Sequence, residues 1–208
     1  MPEEKTESEK KGKKKSSQKI ILIAVVIIAL AGLSFLAYDT YVVKPSESLS
    51  YHYATAFNQT WAFRADLRDA EKVKVTPTDD TIYFELFNIG ETPIVKNITI
   101  AFKDAGSNEN PYYQLQIIEL VTKLKKIYES AYQNADPPTF NAVEVGSYYK
   151  LPGKIQNPII AIVHPKFATE TSINLENHVI TLNAKTHEDM DLVTTKLLMI
   201  ALQLKRTD

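Results

Sequence analysis

Thr81-Ile82-Tyr83-Phe84-Glu85-Leu86-Phe87-Asn88 is the stretch on which the character of the sheet turns. Ile82, Phe84 and Leu86 alternate with their neighbours, and a period of two places all three on one face of a strand. Asn97 to Phe102 repeats the pattern with Ile98, Ile100 and Phe102. Between them Asn88-Ile89-Gly90-Glu91-Thr92-Pro93 supplies turn residues, so the pair reads as a hairpin with Val73–Val75 as a third strand. A hairpin makes the sheet antiparallel.

Working outward toward the C-terminus, Asn110-Pro111 reads as a helix cap followed by proline at the first helical position. Ile117, Leu120, Val121, Leu124, Ile127, Tyr128 and Ala131 form one apolar stripe of that helix, with Gln116, Glu119, Lys123, Lys126 and Ser130 facing water. Asp136-Pro137-Pro138 ends it, because proline lacks the amide hydrogen and clashes with the preceding turn. Ala142–Tyr149 reads as a strand, and the unbroken apolar run Pro158–Val163 as a central strand covered on both faces. With Asn177-His178 as a two-residue turn, Leu175 pairs with Ile180 and Ile173 with Leu182, so both pairs fall on one face. Thr186 with Asp189 three residues on resembles a capping box opening a helix to about Lys205. Its run Leu197–Leu202 is too short to span a bilayer and is expected against the sheet.

Toward the N-terminus, Leu49–Ala70 carries two patterns. Leu49, Tyr53, Ala56, Thr60, Phe63, Leu67 and Ala70 keep helical spacing, while Tyr51, Tyr53, Phe57, Trp61 and Phe63 alternate like a strand; the alanines favour helix. The expected architecture is α+β, a mostly antiparallel sheet with two to three helices. The run from Asn88 through Ile100 resembles the strand-turn-strand phrasing of extracellular β-sandwich modules, which makes a β-sandwich with a helical insertion the alternative.

Upstream of the domain, Ile20–Tyr38 holds no charged residue, and Ile, Leu, Val or Phe fill twelve of its nineteen positions. A helix of that length rises about 28 Å, matching the hydrocarbon core of a bilayer. Ile20, Ile28, Phe35 and Tyr38 mark this expected anchor. Lys10, Lys11, Lys13, Lys14, Lys15 and Lys19 crowd its N-terminal side, whereas the twenty residues after it offer Lys44 alone, so the N-terminus is expected inside. The expected organisation is a cytoplasmic tail at 1–19, a signal-anchor helix at 20–38, a linker at 39–48 and one extracytoplasmic domain at 49–208. A cleaved signal fits less well, because Ala29-Leu30-Ala31 lies inside the apolar run. A leader cut before the run fits less well again, since Gly12 is followed by more lysines; a buried core helix would not abut six lysines. The lysines serve as a topology signal, with contact to anionic lipid headgroups as the sharper reading.

Chemistry is sparse. The chain has no cysteine, which excludes disulfides, thiolate nucleophiles and zinc-thiolate sites. Six scattered glycines form no phosphate cradle or nucleophile elbow. Beyond the tail the chain has seventeen basic and twenty-one acidic side chains, which makes nucleic acid a poor partner. His52, His164, His178 and His187 are scattered; His178 is a turn residue, His187 a first-turn helix residue, and His164 stands at a strand exit where sites often form. Glu188, Asp189 and Asp191 are read as carboxylates offsetting a helix dipole in place of a cation site, and Asp79-Asp80 as turn chemistry. Asn58-Gln59-Thr60 and Asn97-Ile98-Thr99 make Asn58 and Asn97 candidate glycosylation sites, with Asn97 expected to point to solvent. Tyr51, Tyr53, Trp61, Tyr112 and Tyr113 are candidates for a binding surface, set against their reading as core and boundary residues.

No catalytic residue, metal ligand or cofactor is assigned. The functional expectation is a non-enzymatic, membrane-anchored binding or accessory subunit of a cell-envelope or membrane complex, partnered by membrane lipids and another membrane or surface protein. The alternative is an envelope enzyme or small-ligand sensor with a pocket near His164.

Overall fold

Phe84 separates the two readings of the Thr81–Asn88 stretch. A strand would bury it beside Ile82 and Leu86, yet it is 49% exposed while those two are 0% exposed. Residues four apart share a helical face, and the segment Asp79–Phe87 is a helix. Thr78 opens it, its Oγ1 accepting the Thr81 N–H at 3.2 Å. Asp79 and Asp80 stand in the first turn, where carboxylates meet the positive end of the helix dipole. The expected strand and the expected acidic turn are thus one helix with its acidic start.

The computed structural model describes residues 51–87, 94–106, 110–132, 136–148 and 151–204. In chain order the elements are β1 (His52–Ala56), β2 (Gln59–Phe63), α1 (Leu67–Glu71), β3 (Lys74–Thr76), α2 (Asp79–Phe87), β4 (Asn97–Phe102), α3 (Asn110–Ala131), β5 (Thr139–Glu144), β6 (Ile159–Val163), β7 (Ser172–Glu176), β8 (Val179–Asn183) and α4 (His187–Ala201). The fold is α+β, with four helices among the described residues where two to three were expected.

β1 and β2 form a separate two-stranded sheet, and the other six strands run in the order β3-β7-β8-β6-β4-β5. The expectation of a mostly antiparallel sheet is overturned. Within the six strands only β7 and β8 pair antiparallel, while β3–β7, β6–β8, β4–β6 and β4–β5 are all parallel. With α2 in place of the expected strand, the chain approaches β4 from a helix. Helix α3 then carries it back so that β5 lies parallel to β4, as a parallel pair requires. Helices cover the sheet's apolar face, so the β-sandwich alternative does not hold among the described residues.

Leu49–Ala70 is likewise not one helix. Phe57 and Asn58 take φ of 50° and 56°, the two left-handed residues of a type I′ turn, and the register Ala54↔Trp61 makes a β-hairpin. Trp61 and Phe63 turn inward while Tyr53 and Thr60 turn out, which is the alternation of strands.

Other expectations hold. Asn177 and His178 form the turn between β7 and β8, with Leu175↔Ile180 and Ile173↔Leu182 in register. β6 is buried at every position, as a central strand covered on both faces must be. Two strands hold only in part: β3 is Lys74–Thr76 and pairs with β7 in place of a hairpin partner, and β5 runs Thr139–Glu144, sharing three residues with the expected Ala142–Tyr149.

Helix α4 is buried nearly all round, from Met190 to Ala201, because α1, α2, α3 and the sheet all pack on it. Its N-terminus is a full capping box: Thr186 Oγ1 accepts the Asp189 N–H, and Asp189 Oδ2 accepts the Thr186 N–H at 3.0 Å. The buried Lys196 ammonium reaches Asp79 Oδ2 at 2.8 Å and ties α4 to the start of α2. The hydroxyls of Tyr128 in α3 and of Tyr132 just past its end donate to the Leu86 and Phe87 carbonyls at the end of α2.

Candidate functional site

Parallel strands β4 and β6 end side by side, and the residues just past them converge with the starts of α3 and α4. His164 follows β6 and His187 opens α4, and their Nε2 atoms stand 3.2 Å apart. Tyr112 stacks on His187 at 4.2 Å between ring centroids, and Tyr113 lies 5.3 Å from His164. His164 is 2% exposed. Its Nδ1 accepts the Lys166 backbone N–H at 3.2 Å, so the neutral ring carries its proton on Nε2 and donates it to His187. That tautomer withholds the Nε2 lone pair from a metal. Among the described residues no group of three His, Cys, Asp or Glu could hold an ion.

Beside this pair, Tyr148 donates to the Ile162 carbonyl at 2.6 Å and accepts the Lys103 N–H at 2.8 Å, pinning the ends of β4 and β6 together. Tyr113 meets the Tyr148 hydroxyl at 3.4 Å. Burial, helped by the Tyr148 hydroxyl, raises the Tyr113 hydroxyl far above the ordinary tyrosine range. Burial raises Tyr148 too. Both hydroxyls stay protonated and act as hydrogen-bonding struts.

The acidic residues expected at the head of α4 divide. Asp189 belongs to the capping box, while Glu188 and Asp191 line an open cleft of about 540 Å³ with Arg64, Asp69 and Lys72. Asp191 Oδ1 accepts from Gln116 Nε2 at 2.7 Å and lies 3.5 Å from Arg64 Nη1. Gln116, expected to face water, is 2% exposed.

The candidate aromatic surface also divides. Trp61 and Tyr113 are core residues, Trp61 donating its indole N–H to the Ala56 carbonyl at 3.0 Å. Tyr51 and Tyr53 are 47% and 64% exposed and line a cleft of about 820 Å³. Leu67, Met199 and Leu204 supply its apolar residues; His52, Asp66, Arg68 and Glu71 supply its polar ones. Sequence reasoning missed the contributions of α1 and the end of α4, which no local pattern connects to β1.

No family model, characterised protein or solved structure matches the chain.

Of the remaining expectations, Asn58 is exposed in the hairpin turn, and Asn97 is half-buried as the first residue of β4. His178 pairs with Glu85 at 2.9 Å and His52 with Asp66 at 3.5 Å. No helix among the described residues is long and apolar enough to cross a membrane. The expected tail, anchor and linker, with Lys11, Lys13, Lys14, Lys15, Lys19, Ile20, Ile28, Phe35 and Tyr38, lie outside the described residues.

Proposed function

We propose that this chain is a single-pass membrane protein whose domain at 49–208 faces outward and docks a protein partner through the cleft beside β1, without catalysing a reaction. Exposed Tyr51 and Tyr53 on the wall of that cleft carry the reading. Large amphipathic rings left in water beside an apolar floor are what protein interfaces use as anchors. The apolar run Ile20–Tyr38 and the lysines before it support the tether and its direction. An enzyme pocket at His164 fits less well, because both of that ring's nitrogens are engaged and the side chain is shut away from solvent.

Protease added to intact cells tests the placement. Removal of the domain with retention of a short membrane-bound stub is expected, and protection of the full chain overturns it. A photoreactive amino acid at position 51 of the full chain, irradiated in native membranes, tests the docking. An adduct with a protein is expected, and irradiation that leaves the chain alone at every protein level overturns it.

A further inference from the structure

The geometry points to a second copy of this chain as the occupant of the β1 cleft, added strand to strand along the free edge of β1. This rests on the reading of the cleft as a docking site and specifies who docks and how.

In a two-residue hairpin the flanking residues, here Ala56 and Gln59, form a hydrogen-bonded pair, and bonded pairs alternate along the ladder. Ala54 with Trp61 and His52 with Phe63 are the other bonded pairs. Tyr53 and Thr55 therefore aim their backbone N–H and C=O away from β2. The same alternation turns the Ala62 carbonyl outward on the far side, where the Lys123 ammonium of α3 caps it. Gln59 on that strand bonds Ser130 of α3 as well. One edge of the small sheet is thus covered by a helix, as natural sheets protect their edges. Along the other edge, no described strand pairs with β1.

Four consecutive residues, Tyr51 to Ala54, line the cleft. Side chains of consecutive strand residues point to opposite faces, so a cleft that meets all four runs along the strand's edge. An added strand would place its backbone on Tyr53 and Thr55 and its side chains toward Leu67, Met199 and Leu204. Strand addition of this kind draws affinity from main-chain hydrogen bonds and selectivity from side-chain pockets.

Self-complementarity selects a second copy. An isologous contact sets a patch against itself, so a patch of one sign would repel its twin. This one carries both signs, Asp66 and Glu71 beside Arg68. A two-fold axis at Tyr53 pairs Tyr53 with its twin and Tyr51 with Thr55 of the other copy. Aromatic pairs and aromatic–β-branched pairs are the favourable cross-strand combinations. Small Ala54 faces His52 on the opposite side, which leaves the ring room.

The chain has no native cysteine, so single-cysteine variants report cleanly. The full chain carrying Tyr53→Cys is oxidised in native membranes. Paired Cα atoms about 5.5 Å apart lie within disulfide reach, and a covalent dimer is expected. Thr60→Cys, three strand spacings across and four residues along from its twin, roughly 20 Å away, should crosslink at least roughly tenfold less. Tyr51→Cys mixed with Thr55→Cys should crosslink better than either alone. Tyr53→Pro removes an outward N–H without touching the bonds to β2, as edge strands tolerate. It should leave the thermal unfolding of the detergent-solubilised chain in place and abolish its dimer in sedimentation. Equal crosslinking at positions 53 and 60, or a dimer that survives Tyr53→Pro, overturns the pairing. An adduct at position 51 with a different protein, together with no Tyr53→Cys dimer, overturns the second copy while the docking reading stands.

Discussion

His164 and His187 meet through their Nε2 atoms at 3.2 Å, and only His164 has a proton there to give. A strand exit and a helix start are thereby joined by one imidazole-to-imidazole hydrogen bond. Nitrogen NMR is expected to show His164 protonated on Nε2 and His187 on Nδ1; the opposite assignment overturns the arrangement. His187→Ala removes the acceptor and the stacking surface of Tyr112, and should cost about 1–2 kcal/mol in urea unfolding. Stoichiometric zinc should leave the melting temperature of the wild-type chain unchanged.

Lys196 is 8% exposed at its side chain and Asp79 is 43% exposed. Removing the carboxylate strands a buried ammonium, whereas removing both charges strands nothing. Asp79→Ala is expected to lose about 1–3 kcal/mol, discounted from a fully buried pair because Asp79 sees solvent. Adding Lys196→Met to that variant should restore most of the loss. A double variant as unstable as the single one would show that the ion pair itself stabilises the fold.

Burial raises the hydroxyls of Tyr83, Tyr113, Tyr128, Tyr132 and Tyr148 above the ordinary value. An acid harder to ionise when folded favours the unfolded chain once the unfolded group begins to lose its proton. Stability should hold below about pH 10 and fall steadily above it. An alkaline absorbance titration should show a late tyrosinate phase that coincides with loss of far-ultraviolet circular dichroism. A single early phase with the fold intact would contradict the burial.

A Cβ at Gly153 would stand 2.5 Å from the His178 carbonyl oxygen and 2.8 Å from that of Asn177. Both are backbone atoms of the β7–β8 turn, and the His178 carbonyl also accepts the Ile159 N–H at 3.0 Å. The His178 carbonyl cannot yield without disturbing β6. Gly153→Ala should cost about 1–3 kcal/mol by overpacking, read as a lower urea midpoint, while Gly146→Ala, where a Cβ meets nothing within 4 Å, should be far milder.

What was legible in the sequence was local. The Asn177-His178 turn announced its register because two apolar pairs agreed on it. Thr186 and Asp189 announced a helix start because a cap is made within four residues. Thr81–Phe87 misled because Ile82 and Leu86 satisfy a period of two and a spacing of four equally, and only the exposure of Phe84 tells them apart. The cap at Thr78 and the acids after it were the available signal. Leu49–Ala70 misled in the same way, with the left-handed turn at Phe57-Asn58 hidden by an unfavoured phenylalanine.

By itself, the sequence determined the α+β class, the central β6 strand, the β7–β8 hairpin and the cap of α4, because each depends on neighbours along the chain. Only the tertiary structure decided that the sheet is mainly parallel, that His164 meets His187, and that Tyr51 and Tyr53 share a cleft with α1 and the end of α4. Strand direction and side-chain convergence are set by where helices carry the chain between distant elements, and residue periodicity holds no record of that path.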